Sequence, residues 1–303
     1  MMLFQVLADG ILTGSIIALG AIGLTLTMSV LHFPNFAHAE LITFGADIAL
    51  AALGLTGAFT GPLAPLSFGL PLVLAGLVAM AAAVVLALLV DRLVYRKLRA
   101  RAKKMSVVFG SFGVSLLVRM SILMIFGGAA TYYSTALQRA VSVGGLFRVM
   151  PDQVFTLGVT VIIVIGLHLF LKHARLGLAM RAYAENPQLA GVYGCDSERV
   201  LRWTWIIGAA LAALAGVLYG LTVQIRPEIG FQLLLPLFAA AIMGGVGNVY
   251  GAVLGGLIVG LAESLSIYVI PPGYKMAVPF LLLLLILYLR PTGLFGAAKG
   301  AVK

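Results

Sequence analysis

Ionisable side chains stand inside otherwise apolar stretches of the sequence, among them His38, Glu40, Arg119 and Glu263. If these stretches cross a membrane, a charged group at depth costs at least ~2.5 kcal/mol, so it usually faces a cavity, a pathway or a charged partner. His38 and Glu40 closely follow the helix breaker Pro34, so the alternative is that they lie at the water interface. Arg119 either extends to the far interface, which we favour, or pairs with Glu40 or Glu263.

These groups are typical of transport rather than of catalysis. The apolar stretches contain no paired nucleophile and base, and no H-E-x-x-H motif, so an intramembrane enzyme is disfavoured. No G-x-x-x-x-G-K-[ST] loop occurs in the sequence, so we predict no cofactor in this chain. An ATP-driven step would use ATP and magnesium bound to another chain. The single cysteine, Cys195, excludes an intrachain disulfide and a cysteine cluster for zinc.

The composition places the apolar stretches in a membrane. Hydrophobic residues make up 62% of the 303 residues and charged residues only 10%, whereas soluble domains carry about 25% charged residues. The net charge of +10 does not indicate a nucleic-acid partner, because the basic residues cluster at the ends of apolar stretches. All but five of the twenty Lys and Arg fall in residues 92–104, 172–202 and 290–303. The five others are Arg119, Arg139, Arg148, Arg226 and Lys275.

The distribution of basic residues also predicts the topology, because cytoplasmic segments carry the excess of Lys and Arg. We predict cytoplasmic loops at 91–105 and 172–202, an external stretch at 128–152 with a Gly-Gly turn at 144–145, and a cytoplasmic C-terminus. The apolar stretches indicate an all-α integral membrane protein, a polytopic bundle of about eight to nine segments that includes broken or re-entrant helices. The chain forms one transmembrane domain, 1–303. The side of the N-terminus stays open, as does whether 36–56 or 233–245 is re-entrant.

The longest polar segment of the C-terminal half, Lys172 to Arg202, carries the signals of a short helix. Asn186 is suited to the N-cap, Pro187 to the first helical position, and Gly194 to a left-handed end, and Ser197 or Asp196 can cap the helix that follows. A short capped helix with an apolar face can dock in a groove of another protein; the alternative is a solvated loop. The residues of this candidate docking segment are Arg181, Glu185, Asn186, Pro187, Leu189, Ala190, Val192, Tyr193 and Gly194.

The two halves of the chain share a weakly similar sequence pattern. Each half has a broken polar stretch, 33–40 and 226–232, before a short apolar run. Transporters built from related halves place substrate near such interrupted helices. An ion-coupled secondary transporter that uses Glu40, Glu263 and Arg119 is therefore an alternative. The candidate pathway or helix-break residues are Asn35, His38, Glu40, Gly244, Gly245, Gly247, Asn248, Gly251 and Glu263.

Four blocks together resemble the permease subunits of branched-chain amino acid ABC transporters. Residues 35–40 read NFAHAE, where the family has N-F-A-H-G-E. The cytoplasmic loop of the family, A-E-N…A…G-I-N…R-V, matches residues 184–200, with Cys195 where Ile or Val is usual. Residues 244–252 match the family block G-G-x-G-S-x-x-G-A, with Tyr250 where Pro is common. The ending at 290–296, RPTGLFG, also resembles the family.

The resemblance covers nearly the whole chain and implies both the assembly and the substrate class. It implies an ABC importer permease fold, a second permease subunit, two cytoplasmic ATPase subunits and an external substrate-binding protein. It further implies a multi-pass protein of the bacterial inner membrane, in which the 172–202 loop inserts into a cleft of an ATPase subunit. The implied substrates are branched-chain or related hydrophobic amino acids; permeases of the same family for urea, short amides and other small compounds are the alternative.

Overall fold

The computed structural model describes residues 2–56, 65–101, 104–134, 138–143 and 147–295. Within these ranges, seven helices are long and apolar enough to cross a membrane, and two shorter apolar helices, Ile229–Gly244 and Ala277–Leu289, accompany them. This confirms the predicted all-α polytopic bundle. The helices in chain order are α1 Met2–Leu31, α2 Ala37–Thr56, α3 Leu70–Val90, α4 Arg96–Arg101, α5 Lys104–Phe126, α6 Pro151–His173, α7 Arg175–Glu185, α8 Pro187–Val192, α9 Ser197–Thr222, α10 Ile229–Gly244, α11 Val249–Leu265 and α12 Ala277–Leu289.

The prediction of a loop at 91–105 is wrong in its secondary structure. Helix α3 continues through a π-helical turn, Asp91–Tyr95, into α4, and α5 begins at Lys104. The described residues from 91 to 101 contain neither Gly nor Pro and are rich in Arg, Lys, Leu and Ala, which favour helix. The basic charge therefore marks a helical extension of α3, while residues 102 and 103 lie outside the described residues.

Small residues bring the central helices α1, α2, α9, α10 and α11 close together. α1 packs along α11, and a Cβ added at Gly256 would lie 2.5 Å from the Cα of Ala18. A Cβ added at Gly216 of α9 would lie 2.0 Å from the carbonyl oxygen of Ile42. Backbones approach this closely only where a side chain is missing, as in other membrane helix pairs.

The amino end of α1 lies on the same side as the 128–152 stretch. That stretch contains a small antiparallel hairpin, β1 Val141–Val143 with β2 Phe147–Val149; the Gly-Gly turn predicted at 144–145 lies outside the described residues. The Gln5 side chain donates to the carbonyl oxygen of Arg148 at 3.0 Å and accepts from its N–H at 2.8 Å. The start of the chain and the stretch predicted to be external therefore share one side.

Two helices begin inside the bundle rather than at its surface. The His38 ring lies 3.2 Å from the carbonyl oxygen of Gly20, about 16 Å along α1 from its end at Leu31, at 1.5 Å per residue. Residues 32–36 therefore lead back into the bundle before α2 starts. The first turn of α10 lies against α2, where the Gly230 N–H donates to Thr43 Oγ1 at 2.7 Å. At 16 residues, α10 is about 24 Å long, shorter than the ~30 Å hydrocarbon core.

Candidate functional site

Side chains replace the backbone hydrogen bonds that are lost at the break before α2. Asn35 Oδ1 accepts from the Ala37 N–H at 3.2 Å and from the Tyr95 hydroxyl at 3.0 Å. Ser111 of α5 accepts from the Phe36 N–H at 3.3 Å, while its hydroxyl donates to the Val108 carbonyl oxygen at 2.7 Å. Unpaired backbone groups are costly inside a membrane, so these contacts hold the break in one conformation.

Tyr95 connects this break to the π-helical turn at the end of α3. Its ring stacks on Trp205 of α9, with centroids 5.3 Å apart and an interplanar angle of 2°, while its hydroxyl reaches Asn35. Tyr95 and Asn35 are both buried. Elements that are 60 residues apart in the sequence are therefore joined at this point, and no sequence pattern predicts this contact.

His38 and Glu40 are buried within the protein and do not lie at a water interface. His38 lies between α1 and α9, because its ring would be 2.9 Å from a Cβ added at Gly23 of α1 and 4.0 Å from one added at Gly208 of α9. One Glu40 oxygen lies 3.4 Å from the Ser115 hydroxyl, and the other has no hydrogen-bond partner in the described part of the chain. Both residues support the start of α2 from inside the subunit.

Arg119 forms a contact that neither of its two sequence expectations included. Its guanidinium carbon lies 4.4 Å from the centroid of the Phe231 ring, at the start of α10, which is a favourable cation–π distance. It forms no ion pair within 4 Å with any acid that the structure describes. Arg119 is half-buried and Phe231 is exposed, so the pair lies on the outer surface of the isolated subunit.

Asp47 is a buried carboxylate that the sequence reasoning missed. It lies on α2 seven residues after Glu40, and Asp47 Oδ2 has no hydrogen-bond partner among the described residues. Residues spaced by seven lie on one helix face, so the spacing within an apolar run was the available signal. The hydroxyl of half-buried Tyr133 donates to the carbonyl oxygen of the neighbouring Ala46 at 2.8 Å. Burial, followed by the Asp47 charge, raises the pKa of the Tyr133 hydroxyl, which keeps it protonated as the donor.

The glycine-rich block at 244–251 forms the tight turn between α10 and α11. Gly245 and Gly247 have φ angles of +94° and +90°, a conformation that suits glycine. Asn248 caps α11 by accepting from the Gly251 N–H at 3.0 Å, and the Gly247 N–H donates to Thr25 Oγ1 of α1 at 2.8 Å. A Cβ at Gly251 would lie 2.0 Å from the Gly244 carbonyl oxygen. The turn therefore fixes α1, α10 and α11 together.

Glu263 lies near the end of α11 and has a basic partner. Its carboxylate is 3.4 Å from the Lys275 ammonium, and its side chain is buried while that of Lys275 is partly exposed. The pair joins α11 to the segment before α12. The structure thus brings Glu263 together with Lys275, and not with His38, Glu40 or Arg119.

The candidate docking segment folds as its sequence predicts at both ends of the short helix. Asn186 Oδ1 accepts from the Leu189 N–H at 3.0 Å, Pro187 is the first residue of α8, and Gly194 has φ +82°. Asp196 then caps α9 by accepting from the Arg199 N–H at 3.2 Å. The predicted caps are confirmed.

The apolar face of α8 is open. The exposed fractions are 53% for Leu189, 83% for Val192 and 81% for Tyr193, whereas Ala190 is buried. The helix α7 that precedes it was not predicted, and it carries Arg181 and Glu185, both exposed. Met180 of α7 packs with Val30 of α1 and Val200 of α9 in a separate apolar cluster. This cluster fixes α7, which leads directly into α8, while the apolar face of α8 stays exposed.

Comparison with known proteins gives consistent matches along the chain. Residues 6–287 match the family described as branched-chain amino acid transport system / permease component. The chain is 34% identical to the high-affinity branched-chain amino acid transport system permease protein LivH of Escherichia coli (strain K12), over 96% of this chain and 95% of the relative. It is also 34% identical to the corresponding protein BraD of Pseudomonas aeruginosa, with the same coverage. Among solved structures, PsaBC from Streptococcus pneumoniae in complex with Fab aligns over 94% of this chain and 91% of that one, at a TM-score of 0.46 and 13% identity, which is too low to carry an argument.

Proposed function

Because the chain belongs to the family of branched-chain amino acid transport permease components, we propose that it forms the membrane pathway of an ATP-driven importer for branched-chain or related hydrophobic amino acids. The match with LivH along nearly the whole chain carries this proposal. The chain is a transport subunit and not an enzyme. Hydrolysis of ATP, with its magnesium, belongs to partner subunits.

The complete importer, in this proposal, contains a second permease subunit, two cytoplasmic ATPase subunits and an external substrate-binding protein. The chain is a multi-pass membrane protein, and we place it in the bacterial inner membrane. The basic segments and the C-terminus lie on the cytoplasmic side, supported by the concentration of Lys and Arg there. The N-terminus and the 128–152 stretch are then external, where the binding protein docks.

The exposed tip of α8 is the proposed contact with an ATPase subunit. Leu189, Val192 and Tyr193 present apolar surface to water in the isolated chain, and an amphipathic helix that is exposed in this way suits a groove. The rim charges Arg181 and Glu185 orient the contact more than they strengthen it. Movement of α8 would pass to the adjoining helix α7, and through the apolar cluster around Met180 to α1 and α9.

From α9 the movement reaches the break before α2. Trp205 of α9 stacks on Tyr95, which holds Asn35, and Gly216 packs on α2. We therefore propose that Asn35, His38 and Glu40 form the hinge of α2, while Arg119 and Phe231 face the pathway or the second permease. A guanidinium in contact with lipid at that depth is unfavourable, which supports this assignment.

Uptake into proteoliposomes tests the proposal. The chain, reconstituted with its partner subunits and loaded with ATP and magnesium, should accumulate labelled leucine, and unlabelled isoleucine and valine should compete. Uptake that stops without internal ATP and continues in the presence of a proton ionophore separates the importer from an ion-coupled transporter. Competition by urea or acetamide, but not by isoleucine or valine, would support the alternative substrate class and refute the amino acid assignment.

A further inference from the structure

A basic cleft lies where the α3 extension meets the first turns of α9. Its volume is about 570 Å³, and its lining includes Arg92, Arg96, Arg99 and Arg202 together with the apolar residues Leu88 and Leu201. Asp91 and Glu198 also line it. Four positive charges thus face two negative charges in one concave site.

Two of the four arginines have no acidic partner. Asp91 pairs with Arg99 at 2.6 Å, and Glu198 pairs with Arg96. Arg92 and Arg202 form no ion pair with any residue that the structure describes. In addition, Arg99 Nη1 is buried without a hydrogen-bond partner in the described residues. The cleft therefore holds unused guanidinium donors, which recognise the oxygens of a phosphate group well.

The π-helical turn places these donors together. Arg92, Arg96 and Arg99 are spaced by four and three residues, which puts them on one helix face. The wide turn at Asp91–Tyr95 aims that face at α9, and such turns often occur at functional sites. The cleft is a consequence of how α3 continues beyond its apolar part.

The position of the cleft matches the headgroup level of a bilayer. The first 20 residues of α3 span about 30 Å, the thickness of the hydrocarbon core, and end near Leu89. Charged residues begin two positions later. Beside the cleft, Leu89 and Leu93 are 51% and 53% exposed, so an apolar surface continues from the cleft toward the membrane.

We propose that this cleft binds the phosphate headgroup of an anionic phospholipid, whose acyl chains lie along the exposed apolar face of α3. Basic pockets between membrane helices on the cytoplasmic side are suited to anionic headgroups. A soluble phosphate would use the arginines but not the adjoining leucines. An acidic surface of a protein partner would likewise leave the apolar lining residues of the cleft, Leu88 and Leu201, without a role.

Native mass spectrometry of the full chain, purified with its partner subunits, measures the binding of phospholipid to this cleft. We expect phosphatidylglycerol to bind more tightly than phosphatidylcholine. The double variant Arg92→Gln with Arg202→Gln should weaken phosphatidylglycerol binding about 30-fold, or about 2 kcal/mol for two basic residues near an anionic lipid. Neither arginine has an ion-pair partner among the described residues, so folding should be unaffected. The matched control, Lys97→Gln with Arg175→Gln, removes the same charge from exposed positions outside the cleft.

Three outcomes would overturn the proposal. The first is equal binding of phosphatidylglycerol by the native chain and the cleft variant. The second is displacement of the lipid by inorganic phosphate or by deacylated phosphatidylglycerol at similar concentrations, which would assign the cleft to a soluble phosphate compound. The third is loss of the ATPase subunits from the cleft variant with unchanged lipid binding, which would make the cleft a protein contact.

Discussion

Removing the apolar tip of α8 should release the ATPase subunits without unfolding the permease. We expect Tyr193→Ala and Leu189→Asp each to lower ATPase retention and uptake together. Tyr193 is 81% exposed and Leu189 53% exposed, so neither change removes much internal packing, and the free energy of unfolding should change by no more than about 0.5 kcal/mol. The same exposed surface is what a partner would bury.

The expected loss of affinity for the ATPase subunits can be estimated, because this surface is exposed in the free chain and would be buried in the assembled importer. Truncation of an aromatic anchor that is buried at an interface costs about 2 kcal/mol or more, which corresponds to about a 30-fold loss of affinity. An introduced aspartate at position 189 should cost at least as much, because its charge would be buried without a partner. ATPase subunits at a fixed concentration should therefore dissociate on washing.

The assay compares membranes that contain the native importer with membranes that contain each variant. ATPase subunits retained after washing are quantified, and ATP-dependent leucine uptake is measured on the same vesicles. Gln188→Ala is the matched control, because Gln188 is an exposed polar residue of the same helix and should leave both quantities unchanged. Full retention and full uptake in both variants, at normal levels of inserted permease, would refute the docking role of α8.

Three further substitutions test contacts inside the protein. Tyr95→Phe should lower the free energy of unfolding by about 1 kcal/mol, because it removes the hydrogen bond to Asn35; thermal unfolding in detergent measures this loss. Gly256→Val should cost about 3 kcal/mol and reduce the amount of inserted protein, because its Cβ would meet α1. Glu263→Gln should cost at most about 1 kcal/mol in the same unfolding assay, because its partner Lys275 is partly exposed.

Each of these changes has a control and an opposite outcome. Tyr132→Phe removes a hydroxyl from an exposed tyrosine, and equal losses for Tyr132 and Tyr95 would mean that the Asn35 contact has no special value. Gly113→Val adds the same side chain where no atom lies within 4 Å, so a comparable defect there would contradict the close-packing argument. If Glu263→Gln and Lys275→Gln together lose twice as much stability as either alone, the two groups are not coupled.

Local signals in the sequence predicted the local structure well. The caps at Asn186, Gly194 and Asp196 depend on neighbouring backbone groups only, so a few residues suffice to predict them. The apolar runs likewise predicted the spans, because a span depends on length and composition. The chemistry of one segment was enough in each of these cases.

The sequence predictions failed where a sequence pattern indicates one structural property but not another. Basic charge at 91–105 predicts a side of the membrane but says nothing about helix or loop, and the described residues there prefer helix. The contact between Tyr95 and Asn35, and the ion pair between Glu263 and Lys275, depend on how distant segments pack. No periodicity in a single sequence encodes such packing.

The two helix interruptions, at 33–40 and 226–232, contact each other in the structure, and this contact is what relates them. In the sequence, these two polar stretches are only weakly similar features of the two halves. In the structure, a Cβ at Gly230 would lie 2.4 Å from the Ala39 carbonyl oxygen, and the Gly230 N–H donates to Thr43. The starts of α2 and α10, which the chain reaches from opposite sides, thus support each other inside the bundle. Displacement of one start must displace the other or break the Thr43 hydrogen bond, so a movement that α9 passes to α2 would reach both halves together.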